Sequence, residues 1–168
     1  IYPKALGYAQ TICGSLMDGE DLVSDAVLAA YTRFQSLRDR GRFKEWFFAI
    51  LLNRFRNLRS RQKLRPLTLV AEPSGSHYFW EATIRVSGDP AELGYQLALV
   101  KELLGRLKPR ERELLLLLGP AELAPEEVAR MQKTSVRAVI QRAYRARKKL
   151  AKLLPAGAGL PSLRSQAS

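Results

Sequence analysis

At 168 residues, with 46% apolar side chains, the chain is long enough for one medium domain or two small ones around packed cores. Its formal charge of +12 points toward nucleic acid, an anionic membrane or an acidic protein partner. The single cysteine, Cys13, excludes an intramolecular disulfide and a cysteine metal cage. The single histidine, His77, lies in a polar, loop-like segment.

No apolar run approaches the roughly 20 residues that span a bilayer; the longest is Leu114 to Leu118. No basic-then-apolar leader opens the sequence. The expectation is a cytoplasmic protein without membrane insertion.

The periodicity predicts helices almost throughout. A first runs from Pro3 to Leu16, with Leu6, Ala9, Ile12, Cys13 and Leu16 as its apolar stripe and Cys13 as a small buried hydrophobe. A second begins in "DGEDLVSDAVLAAYTRF", with Asp18 as its cap and Glu20 and Asp21 at the positive end of its dipole. Its stripe is Leu22, Ala26, Ala29, Ala30 and Phe34. After the turn "RDRGR", a third helix follows in "FKEWFFAILLNRFRNLRSRQ", apolar in its first half and basic in its second. Phe47, Phe48, Leu51 and Leu52 are expected in the core, and Trp46 with them.

From Lys63 to Pro90 the periodicity fails at Pro66, Pro73, Gly75, Gly88 and Pro90, and "HYFWEATIRV" reads as a short strand or an aromatic packing segment. This length of irregular chain marks a boundary between modules. The expected layout is all-α: a helical module over 1–63, a linker over 64–90, a second helical module over 91–154 and a disordered Ala/Gly/Ser/Pro-rich tail over 155–168. In the second module, "AELGYQLALVKELLGRL" and "KPRERELLLLL" read as helices. "APEEVARMQ" is a short helix opened by Pro125, Glu126 and Glu127, and the turn "KTS" leads into a longer basic helix. Short helix, tight turn and longer basic helix is the helix-turn-helix order.

That last helix, "SVRAVIQRAYRARKKL", carries six Arg or Lys residues and no acid. At 100° per residue, Val136, Val139, Ile140, Ala143, Leu150 and Leu154 gather on a packing stripe. Arg137, Gln141, Arg145, Lys148 and Lys152 gather opposite, and Tyr144 flanks them. A solvated helix ordinarily mixes signs, because acid–base pairs four apart stabilise it. Here no acid occurs from Ala129 to Leu150. Arginine reads guanine and glutamine reads adenine in the major groove, so this face is expected on DNA. Arg147 falls toward the apolar side, within reach of an acid such as Glu113, Glu126 or Glu127, or of a phosphate at the rim.

"LLGRLKPRERELLLLLGPAELAPEEVARMQKTSVRAVIQRAYRARKKLAKLL" resembles region 4 of the sigma-70 family. The likeness is to the extracytoplasmic-function (ECF) group, which keeps only regions 2 and 4. "DGEDLVSDAVLAAYTRF" resembles regions 2.1–2.2, and "FKEWFFAILLNRFRNLRSR" resembles regions 2.3–2.4 through Trp46, Ile50, Asn53 and the Arg59–Arg61 end. Departures are Ser24, Asp25 and Val27 in the first motif. In the last helix Arg137-Ala138-Val139 stands where Gly-Thr-Val is common, and Ile140 where a basic residue often stands.

The resemblance implies a transcription initiation factor that binds core RNA polymerase, directs it to promoter −10 and −35 elements and assists melting. It implies that Asp21, Leu22, Ser24, Asp25 and Leu28 grip the β′ clamp helices, and that region 4 meets the β flap. It implies −10 contacts from Arg38, Arg40, Arg42, Phe43 and Lys44 in a loop, and from Asn53, Arg56, Asn57, Arg59 and Arg61 on the third helix. It implies −35 contacts from Arg137, Gln141, Arg142, Tyr144, Arg145 and Lys148. An anti-sigma factor is the further partner implied, and its docking place is expected on the apolar surface around Phe47, Phe48 and "HYFW".

The residues present no nucleophile–base pair, phosphate-cradling glycine loop or metal cluster, so no catalytic residue, metal or cofactor is expected. Two other readings fit the same residues. One is a two-domain helix-turn-helix regulator that binds duplex DNA without polymerase. The other is a sigma mimic that sequesters an anti-sigma factor, although a mimic has no need of the DNA-facing Arg and Lys that both modules carry.

Overall fold

The computed structural model describes residues 1–62, Leu99 and residues 102–153. All regular structure among them is helical. The chain divides into two compact units, Ile1–Ser76 and His77–Ser168. The expected linker, the "HYFW" segment, Leu154 and the tail lie outside the described residues.

In the first unit, α1 (Tyr2–Cys13) ends at Gly14, not at Leu16 as the periodicity predicts. Gly14 takes φ 75°, a left-handed conformation that costs glycine no steric strain, and its N–H donates to the Gln10 carbonyl. The chain reverses at once into α2 (Leu16–Arg33). Its cap is therefore Ser15 rather than Asp18: Ser15 Oγ accepts from the Asp18 N–H at 3.3 Å. Asp18 sits inside the first turn, where its charge complements the dipole.

Two short 3₁₀ turns, Phe34–Ser36 and Arg40–Arg42, lead to α3 (Phe43–Gln62). The core holds Ala5, Tyr8, Ala9, Ile12, Leu22, Val23, Ala26, Phe47, Phe48, Leu51 and Phe55. Tyr8, missing from the predicted stripe, is fully buried and meets Phe48 edge to face at 5.6 Å. Leu6, Cys13 and Leu16 are only half-buried. The buried face of α1 is thus turned toward Ala5, Tyr8 and Ala9, whose small members admit α2 closely. Phe34, 39% exposed, leaves the predicted α2 stripe and packs its ring on Phe43 instead, because the helix ends at Arg33.

In the second unit, a helical stretch at 102–105 buries Leu103 and Leu104. α4 (Pro109–Leu118) and α5 (Pro125–Met131) each place proline in the first turn, where no N–H is missed. Each also has a glutamate three residues past the cap that accepts the cap residue's backbone N–H. Glu111 takes that of Lys108 at 2.9 Å, and Glu127 that of Ala124 at 2.6 Å. A four-residue turn with Lys133 at φ 51° carries α5 into α6 (Val136–Leu153), and Ser135 Oγ accepts the Ala138 N–H. This is the expected helix-turn-helix.

α6 packs through Val139, Ala143, Ala146 and Leu150, a clean i, i+4, i+7, i+11 seam. Ile140, predicted on this stripe, lies about 90° from its centre and is 53% exposed. The Glu111–Lys149 ion pair at 3.1 Å ties α4 to α6. Burial pushes the Glu111 carboxyl up, but the Lys108 backbone N–H and the Lys149 ammonium outweigh it and hold it below the ordinary value.

Candidate nucleic-acid and partner interfaces

α6 projects from its turn with Val139, Ala143, Ala146 and Leu150 fixed inward, so the opposite arc must face out. On that arc stand Arg137, Gln141, Tyr144, Arg145 and Lys148, all exposed. Lys148 Nζ lies 5.8 Å from the centre of the Tyr144 ring, a cation–π contact within the cationic face. Arg142 is exposed too but lies about 60° beyond Arg145 around the helix. The structure therefore brings five of the six expected −35 residues into one strip and sets Arg142 on its flank. Seven Arg or Lys and no acid occur between Val136 and Leu153, so the strip has no internal counter-charge.

In the first unit the loop before α3 is more built than its sequence implies. Asp39 Oδ1 accepts the Gly41 N–H at 2.9 Å, closing the 3₁₀ turn, while its Oδ2 pairs with Arg42 Nε at 3.2 Å. Arg42 also reaches Glu45, at 3.8 Å. The Arg40 guanidinium lies over the Phe34 ring, and Phe34, Trp46 and Phe47 surround Phe43. Arg38, Arg40 and Arg42 are exposed, whereas Phe43 and Lys44 are half-buried. Sequence reasoning missed Asp39. The signal was an Asp two residues before a glycine, a common turn-closing pattern.

Along α3, Asn53, Arg56 and Asn57 are exposed on one side. Arg59 points elsewhere, half-buried with its guanidinium over the Phe55 ring, and Arg61 is exposed near the end. On α2, Asp21, Ser24, Asp25 and Leu28 are exposed, whereas Leu22 is fully buried and supports that face from beneath. The same face carries two side chains that the motif did not single out, Met17 at 76% and Tyr31 at 82% exposure, and Val27, 44% exposed, lies at its edge. Ser24, Leu28 and Tyr31 follow i, i+4, i+7, a spacing that was available in the sequence. Phe47 and Phe48 are buried, so they cannot form the apolar docking surface expected of them. No described helix is long and apolar enough to cross a membrane.

Residues 1–65 match the family described as sigma-70 region 2. The RNA polymerase sigma factor NccH of Alcaligenes xylosoxydans xylosoxydans is 32% identical over 139 residues, covering 82% of this chain and 73% of NccH. The chain belongs to the sigma-70 family, in its ECF group. The ECF RNA polymerase sigma factor SigG of Mycobacterium tuberculosis is 30% identical over 174 residues, covering 92% of this chain and 47% of SigG. In fold, this sigma factor is similar to the sigma factor RpoE of Bartonella quintana, solved in complex with the anti-sigma factor NepR. That likeness has a TM-score of 0.68 at 23% identity and covers 92% of each chain. The sigma factor is thus a transcription initiation factor.

Proposed function

We propose that the sigma factor divides promoter recognition between its two units. The second unit lays α6 in the major groove of the −35 duplex. Arg137, Gln141, Arg145 and Lys148 are the donors aimed at base edges and phosphates, Tyr144 lies between them, and Arg142 reaches a flanking phosphate. The first unit takes the −10 element. Arg38, Arg40, Arg42 and Lys44 contact the backbone of the separating strands, with Phe43 offering an aromatic edge. Asn53, Arg56, Asn57, Arg59 and Arg61 track the duplex or fork.

Capturing single-stranded bases costs a few kcal/mol of unstacking, which stacking and charge contacts offset. A loop already shaped by Asp39 loses little entropy when it does so. Asp21, Ser24, Asp25 and Leu28, with Leu22 beneath them, form the face offered to the β′ clamp, and the second unit meets the β flap. Catalysis stays with the polymerase, and the site of action is the cytoplasm. An anti-sigma factor, as in the RpoE–NepR complex, competes with core polymerase. Its footing is the exposed α2 face rather than Phe47 and Phe48.

The observation that carries this reading is the acid-free exposed strip of α6, held outward by a four-residue seam in a helix-turn-helix. Arg145→Ala tests it. Promoter affinity of the reconstituted holoenzyme should fall by roughly 1–3 kcal/mol. An affinity and a salt slope both equal to wild type would show that this face does not meet DNA.

A further inference from the structure

On the outward side of α6 one residue fits neither the core nor a phosphate-binding surface. Ile140 is 53% exposed, although a β-branched aliphatic side chain gains nothing from water and is only a moderate helix former. It has no part in the seam of Val139, Ala143, Ala146 and Leu150. By helix geometry its same-face neighbours are Arg137, one turn before it, and Tyr144, one turn after it, the latter 41% exposed. Ile140 and the Tyr144 ring thus form a small apolar island. Arg137, Gln141 and Lys148 rim it.

The rim of Arg137, Gln141 and Lys148, on a helix with no acid, suits a polyanion better than a protein partner. The major groove matches it. Its floor offers donors and acceptors to arginine and glutamine, and its one apolar group is the C5-methyl of thymine. Ile140 is also the fifth residue of α6, within the N-terminal part of a recognition helix that approaches base edges.

We propose that Ile140 is a specificity-determining residue of this sigma factor, packing on a thymine methyl group in the −35 duplex. This rests on α6 being the −35 reader and names one base that it selects. A rise of about 1.5 Å per residue puts Ile140 roughly 4.5 Å along the axis from Arg137. The thymine therefore lies within about one or two base pairs of the one that Arg137 reads. Burying one methyl group is worth about fourfold in affinity.

The experiment uses the full chain with core polymerase to select from duplexes randomised across the −35 position. The winning duplex is then remade with each thymine replaced in turn by deoxyuridine, which removes only the methyl. The wild type should lose about three- to fivefold in affinity at one position, or at two adjacent ones. Ile140→Ala should bind the thymine and uracil duplexes alike there, with every other base preference kept. Because Ile140 is exposed, its removal leaves the core intact, and a thermal melt equal to wild type verifies this.

Equal binding of thymine and uracil duplexes by the wild type, while Arg145→Ala still weakens binding, would overturn the inference and leave the −35 assignment standing. So would an Ile140→Ala protein that keeps the thymine preference but assembles poorly with core polymerase. No selected sequence, together with an inert Arg145→Ala, would remove both.

Discussion

Gly19 shows how one position is decided by a neighbour on another helix. A Cβ built on it would stand 2.7 Å from Cα, N and Cγ of Gln10, two of them backbone atoms that cannot swing away. The α1–α2 crossing therefore depends on hydrogen at this position, whatever the preference of a helix for alanine. Gly19→Ala is expected to destabilise the protein by about 1–3 kcal/mol, read from denaturant midpoints, although the same change in an open helix would stabilise it. Cys13 is a second case. Burial first, and the Asp18 charge second, push its thiol up from 9.0 to about 12. The thiol is protonated at neutral pH and is expected to alkylate slowly in the folded protein at pH 8 and rapidly in denaturant. Between pH 9 and about 12 the unfolded chain releases a proton that the folded one keeps. This contribution to stability is therefore complete below pH 9 and declines as pH rises through that window. Cys13→Ser should flatten the decline in a pH series of unfolding measurements.

At the scale of elements, the loop before α3 and helix α6 make their surfaces in different ways. In α6 a four-residue seam turns one side inward, and the charge pattern of the other side follows from register alone. In the loop, the 3₁₀ turn Arg40–Arg42 is held by Asp39, and Arg40 and Arg42 are oriented by Phe34, Asp39 and Glu45. Arg42 is thus partly neutralised by Asp39 and Glu45 before any DNA arrives, whereas the α6 strip has no acid on its own helix. Replacing Arg40 and Arg42 together by Ala is expected to impair open-complex formation more than assembly with core polymerase. Permanganate footprinting and native gel shift measure the two. A variant that melts promoters normally, or one whose defect persists unchanged on a pre-melted template, would assign the loop another role.

For the molecule as a whole, the net charge of +12 sets behaviour that no single residue explains. Cations exposed on both units make each a polyelectrolyte ligand, so the free protein is expected to bind duplexes of arbitrary sequence at low salt. Each neutralised phosphate releases condensed counterion, with a slope of about −0.9 in log–log form. Engagement of about six phosphates would cut affinity by on the order of a thousandfold between 50 and 200 mM salt. Fluorescence anisotropy of a labelled random duplex measures the slope. A slope near zero would place the basic faces away from DNA.

The sequence by itself determined the helical class, the helix-turn-helix, and the family through the "DGEDLVSDAVL" and "FKEWFFAILLNRF" motifs. Each of these rests on local rules: apolar spacing, proline in first turns, and side chains at fixed offsets along one helix. It also determined which face of α6 is basic, because a helix fixes angular position without reference to the rest of the fold. The tertiary structure alone decided which residues the neighbours cover. Leu22, Phe47 and Phe48, each expected both in the core and on a docking face, go inward. Ile140 goes outward, since a shift of one residue turns a helix by about 100° and a stripe read from sequence is no sharper than that. The glycine required at 19 and the raised thiol of Cys13 come from contacts between α1 and α2. Periodicity has no term for such contacts. They depend on how closely α1 and α2 approach, and that distance is set by the small residues packed between them.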